Sequence, residues 1–131
     1  DIGENYDIHP SNKHVVGSRL ASLALNNDYG YLGISSGPLF KKAKIEKDKI
    51  IVTFDYVGSG LSIKQNLRNE FEIASLNKKY FKADIKIIGE TIEASSDQVQ
   101  NPQFIRYAWE DTSKATLFNL EGYPASSFTS E

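Results

Sequence analysis

The feature that most limits the fold is a series of short alternating segments that fills the chain after Gly30. Apolar and polar residues alternate in runs such as KIIVTFDYV (49–57) and FIRYAWE (104–110), with polar turns between the runs at regular intervals. Many short strands of this kind are typical of an antiparallel β-sandwich. We therefore expect residues 31–131 to form an all-β module, with an irregular tail over residues 121–128.

The N-terminal part follows a different pattern. Apolar residues recur at helical spacing from Ser11 to about Asn26, which predicts a helix. Pro10 suits the first turn, where its missing N–H is not needed. Gly17 weakens this helix by roughly 1 kcal/mol relative to alanine, so we expect it to allow close packing. Residues 1–9 are predicted to be a loop.

Composition excludes several classes of function. The 131 residues carry a net charge of −2 with scattered basic residues, which argues against a nucleic-acid partner. No apolar run approaches the ~20 residues of a membrane span. The chain has no cysteine, so disulfides and thiolate metal sites are excluded, and we predict neither a metal nor a cofactor. It also has no methionine, so we expect a processed product or a piece of a longer protein.

The two histidines both lie near the start of the predicted helix. The partial positive charge at a helix N-terminus favours the neutral imidazole of His9, the form that accepts a proton. Asp7 could orient the ring and stabilise the imidazolium. Taken alone, however, His9 is better explained as a helix N-cap residue on a loop. His14 is expected on the helix as a solvent-facing or packing residue, and two histidines without further ligands do not predict a metal site.

Two other stretches invite a functional reading. GISSG (33–37) fits the G-x-S-x-G pattern, but a nucleophile elbow needs a strand before the serine and a helix after it. Ser35 instead precedes predicted strands, so we interpret the stretch as a turn. Tyr107 and Trp109 could form a carbohydrate platform, but alternating aromatic residues in a strand more often belong to a core, and we predict a core position.

The opening segment resembles the C-terminal catalytic block of the sialate O-acetylesterase family, a branch of the SGNH hydrolases. The residues that carry the resemblance are DIGENYDIHPSNKHVVGSRLASLAL, followed in order by YG, SGPLFKKAKIEKDKIIVTFDYVGSGL, FEIA, IRYAW and NLEGYPASSF. The similarity covers nearly the whole chain. It implies a mixed α/β fragment: residues 1–30 would be the last catalytic loop and helix of an SGNH α/β esterase domain, and residues 31–131 an antiparallel β-sandwich module.

The resemblance also implies a function. The complete protein would be a serine esterase that removes O-acetyl groups from sialic acids or related acetylated sugars, in the periplasm or outside the cell. His9 would be the general base, the serine would lie in an upstream segment, and this chain alone would be inactive. The alternative from the residues is a non-catalytic carbohydrate-binding or structural β-sandwich.

The acid that supports His9 is less clear from the resemblance. Most SGNH enzymes place it three residues before the histidine, where this chain has Tyr6. Asp7 is our candidate for this role, with Asp1, a backbone carbonyl or a Ser–His dyad as the other options.

Overall fold

A computed structural model describes residues 1–64, 67 and 69–131 of the chain. These residues form two compact units, Asp1–Ser36 and Gly37–Glu131. The predicted domain assignments, with their boundary between residues 30 and 31, stay predictions.

The first unit contains one helix, α1 (Lys13–Asp28). It begins after the N-cap residue Asn12, whose side-chain Oδ1 accepts a hydrogen bond from the backbone N–H of Val15 at 3.3 Å. This cap satisfies one of the free N–H groups of the first turn. The predicted start at Ser11 is therefore two residues too early, and Pro10 lies outside the helix. Nothing lies within 4 Å of a Cβ added at Gly17, so no described residue packs closely against this glycine, and its role in close packing stays a prediction.

The second unit is built from antiparallel strands. Among the residues that the structure describes, ten strands occur: β1 (Leu39–Glu46), β2 (Lys49–Asp55), β3 (Leu61–Ile63), β4 (Phe71–Ala74), β5 (Tyr80–Lys82), β6 (Asp84–Ile88), β7 (Thr91–Ser95), β8 (Phe104–Tyr107), β9 (Leu117–Asn119) and β10 (Phe128–Thr129). They form two four-stranded sheets with the orders β1-β2-β7-β6 and β10-β8-β4-β5, and a two-stranded sheet β3-β9.

The core is formed by alternate residues of the strands. In β2, Ile50, Val52 and Phe54 are buried, while the residues between them are partly exposed. Ile105 and Tyr107 do the same in β8. Because successive side chains of a strand point to opposite faces, each sheet presents one apolar face. Side chains from all three sheets join one buried cluster.

The aromatic residues of this core meet at Phe128. Its ring stacks on Phe40 with centroids 4.8 Å apart and lies 5.6 Å from Tyr107. Phe54 and Phe71 approach it edge-on at 5.7 and 6.4 Å. The expectation of an irregular tail over residues 121–128 is therefore wrong at its end, because Phe128 begins a strand and closes the core.

The predicted fold class is also wrong. The chain is a small β-rich structure with antiparallel sheets, not a mixed α/β fragment. In the first unit, whose residues are all described, a single helix follows a loop and no sheet strand is present. An α/β layer needs parallel strands covered by helices, and neither unit supplies that arrangement among its described residues.

Three sequence motifs of the second unit meet in its loops. A Cβ added at Gly37 would lie 2.0 Å from the carbonyl oxygen of Pro124, so only glycine fits there. The carboxylate of Glu121 accepts hydrogen bonds from the Ser59 N–H at 2.9 Å and the Ser59 hydroxyl at 2.6 Å. These bonds hold the pKa of Glu121 below its ordinary value. The GPL, VGSGL and EGYPAS stretches thus have a packing role. Gly58, in the same turn, has a φ of +60°.

Candidate functional site

The His9 loop is held by a hydrogen-bonded turn rather than by burial. One oxygen of Glu4, Oε1, accepts bonds from the Ser11 N–H at 2.8 Å and the Ser11 hydroxyl at 2.7 Å. The backbone N–H of Asp7 donates to the carbonyl oxygen of Glu4 at 3.3 Å. The bonds from Ser11 lower the pKa of Glu4, so this carboxylate is charged at neutral pH. Glu4 therefore closes a loop whose middle carries Asp7 and His9.

His9 and Asp7 lie side by side within that loop. The backbone N–H of His9 donates to Asp7 Oδ1 at 2.8 Å. The same oxygen lies 3.7 Å from the ring nitrogen Nδ1 of His9, within ion-pair distance when the ring is protonated but too long for a hydrogen bond. The His9 side chain is 80% exposed and that of Asp7 56%. The carboxylate is thus positioned beside the nitrogen that a supporting acid would contact, and Nε2 remains free to accept a proton.

The other options for the acid are less well placed. Both carboxylate oxygens of Asp1 accept bonds from the guanidinium of Arg19, at 2.8 and 2.7 Å, which ties the N-terminal segment to α1. Tyr6, at the usual position of the acid, is fully exposed and has no carboxylate. Asp7 Oδ1 lies 3.7 Å from the His9 ring nitrogen Nδ1, within ion-pair distance.

A helix-cap role for His9 is excluded, because Asn12 is the N-cap of α1. The His9 ring makes no hydrogen bond to any residue that the structure describes. A neutral, solvent-accessible imidazole beside a carboxylate can take a proton from a hydroxyl brought next to it. Within the described part of the chain, no group of three His, Cys, Asp or Glu residues could hold a metal ion.

The remaining candidates have structural or surface positions. His14 lies exposed on α1. Ser35 is buried in an irregular stretch that follows a helix and precedes a strand, so rejecting it as a nucleophile elbow is confirmed. Tyr107 is fully buried, as predicted, but Trp109 is 51% exposed and the core prediction for it is wrong.

Sequence reasoning missed the part played by Glu4. Glu4 and Ser11 flank the DIHP stretch at a separation of seven residues, and no general spacing rule connects them. The sequence signal for this bond was only that an acid, Glu4, precedes the DIHP stretch and a hydroxyl residue, Ser11, follows it. No helix among the described residues is long and apolar enough to cross a membrane.

Comparison with solved structures gives a full-length match. The crystal structure of XAC1771, a carbohydrate acetylesterase from Xanthomonas citri, matches 100% of this chain with a TM-score of 0.93 and 35% sequence identity. The chain is similar to a carbohydrate acetylesterase. It covers only 31% of that protein, so it spans about a third of the length. No protein-family model matches the chain. A search of curated proteins also found no match.

The two proteins agree in both sequence and structure over the whole of this chain. This agreement supports the β-rich fold.

Proposed function

We propose that this chain is part of a carbohydrate acetylesterase and supplies the general base, His9. The observation that carries the proposal is the full-length match to a carbohydrate acetylesterase at 35% identity. The serine nucleophile would come from an upstream segment of the same protein, so the isolated chain would not hydrolyse esters. The substrate would be an O-acetylated sialic acid or a related acetylated sugar, and the enzyme would act in the periplasm or outside the cell.

The position of His9 supports this role. The ring is exposed, makes no hydrogen bond to a described residue and does not cap the helix, so no structural task explains it. In the proposed reaction, Nε2 takes the serine proton during attack on the acetyl carbonyl and gives it to the departing sugar oxygen, which leaves as the hydroxyl. The same nitrogen then takes a proton from water as the water attacks the acetyl-enzyme, and returns it to the serine oxygen as acetate leaves. Asp7 would stabilise the imidazolium in both halves.

The surface of α1 supports an upstream partner segment. None of its residues is buried, and its apolar positions are exposed: Val16 by 42%, Leu20 by 62%, Leu23 by 37% and Leu25 by 45%. Val16, Leu20 and Leu23 recur at helical spacing on one face, whereas Leu25 lies on the opposite side of the helix. An exposed apolar face is typical of a helix that packs on another segment, and we assign the face of Val16, Leu20 and Leu23 to the upstream esterase segment.

The test uses the longer protein that contains this sequence. His9→Ala is expected to lower kcat for acetate release about 10²- to 10⁴-fold, the usual contribution of a general base. His14→Ala is the matched control, because it removes the other exposed histidine of the same unit. Acetate release from O-acetylated sialic acid and from O-acetylated xylan fragments is compared. Equal activity of the two variants on both substrates would remove the assignment of His9.

A further inference from the structure

The second unit contains a cavity of about 430 Å³ that the proposed reaction does not use. It opens between the end of β3, the start of β4, the edge strand β6 and the residue before β9. Ligand sites for small molecules typically have volumes of about 300–1,000 Å³, so this cavity is large enough for a ligand of a few hundred Å³. Its lining is mixed, with apolar side chains and a few polar groups.

One polar group of the lining is buried without a partner. Thr116 is only 2% exposed, and its hydroxyl oxygen has no hydrogen-bond partner among the residues that the structure describes. Its backbone is fully used, since the N–H donates to the Tyr107 hydroxyl and the carbonyl accepts from Lys64. A buried hydroxyl without a partner costs free energy, and a rotation of the Thr116 side chain toward the cavity would let a ligand hydroxyl recover that cost.

Two opposite charges line the same cavity. The Lys64 ammonium lies 4.0 Å from the centroid of the Phe118 ring, and it forms no ion pair with a described residue. Asp84 also has no ion-pair partner among the residues described. A neutral ligand with several hydroxyls can accept from Lys64 and donate to Asp84 at once. An anion would be repelled by Asp84, and a cation by Lys64.

The apolar part of the lining fits a sugar ring. Ile85 and Ile87 lie on the same face of β6, because they are two residues apart in a strand, and Ile63 of β3 also lines the cavity. These side chains could cover the C–H face of a pyranose or the methyl of an acetyl group, while Lys64 and Asp84 contact its hydroxyls. Apolar walls with a few convergent polar groups are the usual design of a small-molecule site.

We propose that this cavity is a binding subsite for one neutral sugar ring, formed by Lys64, Asp84, Thr116 and the isoleucines of β3 and β6. The choice of a sugar among neutral hydroxylated ligands rests on the proposed function. The subsite would hold a glycan unit without taking part in acetyl transfer, and it would disfavour charged sugars such as sialic acid.

Backbone amide chemical shifts of the ¹⁵N-labelled 131-residue chain provide the test. The probes are the methyl pyranosides of xylose, glucose, galactose and mannose, with N-acetylneuraminate and acetate as anions. We expect at least one neutral pyranoside to shift the amides of Lys64, Asp84 and Thr116 with a Kd on the order of 1 mM. Absence of shifts with all four, or equal shifts with the anions, would overturn the proposal.

Two variants test the assigned contacts. Thr116→Val removes the hydroxyl at nearly constant shape, and Asp84→Asn removes the charge. Each is expected to weaken sugar binding roughly three- to tenfold, the effect of losing about one hydrogen bond. Asp48→Asn is the matched control, because Asp48 lines a different, mainly polar hollow with Ser95 and Asp97. Unchanged affinity in both Thr116→Val and Asp84→Asn, with native CD spectra, would contradict the assignment.

Ester hydrolysis is not measured in this experiment. A negative binding result therefore removes the subsite and leaves the esterase proposal untouched. Conversely, if the cavity binds sugar but His9→Ala leaves acetate release unchanged, the subsite stands and the esterase role of His9 does not.

Discussion

Replacing Phe128 by alanine tests whether the end of the chain belongs to the core. Phe128 is 7% exposed and its ring contacts four other aromatic rings, with centroids 4.8–6.4 Å away. Removing a buried phenylalanine loses transfer free energy and leaves a cavity, at a combined cost of about 3–5 kcal/mol. Typical domains unfold with about 5–15 kcal/mol, so Phe128→Ala should remove a large fraction of the stability.

Urea unfolding followed by far-UV CD measures this loss. With an m-value of about 2 kcal/mol/M, a cost of about 4 kcal/mol lowers the midpoint by about 2 M. Phe104→Ala is the matched control, because Phe104 is only partly buried on the other face of β8, where the Lys78 ammonium lies 5.4 Å from the centroid of its ring. The control should cost about 1 kcal/mol.

Phe128→Leu keeps most of the apolar volume and should recover the greater part of the loss, leaving a cost of about 1–1.5 kcal/mol. If Phe128→Ala costs no more than Phe104→Ala, the ring cluster contributes nothing beyond a half-exposed phenylalanine, and Phe128 does not have the core role assigned to it.

Three further changes follow from the packing and the charges. Gly37→Ala should lower the free energy of chemical unfolding by about 1–3 kcal/mol, because its Cβ would meet the Pro124 carbonyl. Gly17→Ala should stabilise the helix, because a Cβ at Gly17 lies in open space. A change of the same sign in the unfolding free energy of both variants would contradict this. Burial and a hydrogen bond to Glu131 raise the pKa of Tyr80 to about 12. The stability that the protonated Tyr80 contributes is therefore present below pH 10 and is lost as the pH rises toward 12. Tyr80→Phe should make this loss smaller, as measured by the difference between thermal melts at pH 9 and pH 11. Glu72 forms ion pairs with Lys82 and Arg106. Glu72→Gln should lower the free energy of unfolding in urea by about 1 kcal/mol, after allowance for solvent screening of these pairs. An unchanged unfolding free energy would show that the pairs do not stabilise the fold.

The strands that alternate cleanly could be predicted from the sequence, and those that depend on distant partners could not. Ile50, Val52 and Phe54 are buried in turn, so the local pattern of β2 reports its burial directly. The run FKADIKIIG alternates like a single strand, but it holds the end of β5 and all of β6, which belong to different sheets. The buried Ala83 between them marks the division, yet nothing local distinguishes it from a strand alanine.

β10 shows the same limit more strongly. It has only two residues, and it exists because Phe128 and Thr129 pair with Tyr107 and Arg106 some twenty residues earlier. A short strand defined by pairing carries no periodicity of its own. By contrast, the start of α1 could be predicted from the sequence, because asparagine is a preferred N-cap residue and Asn12 lies directly before the helix. Placing Pro10 in the first turn ignored this signal.

The motifs that carry the sequence resemblance have different roles in the two units. In the second unit they are explained by packing, since Gly37 lies against Pro124 and Glu121 holds Ser59. Such residues would be required in any protein with this fold, so they say little about chemistry. The DIHP stretch has no comparable packing role, because the His9 ring is exposed, makes no hydrogen bond to a described residue and does not cap the helix. The functional content of the resemblance therefore rests on His9, which is why the paired His9 and His14 variants are the most informative test of the proposed activity.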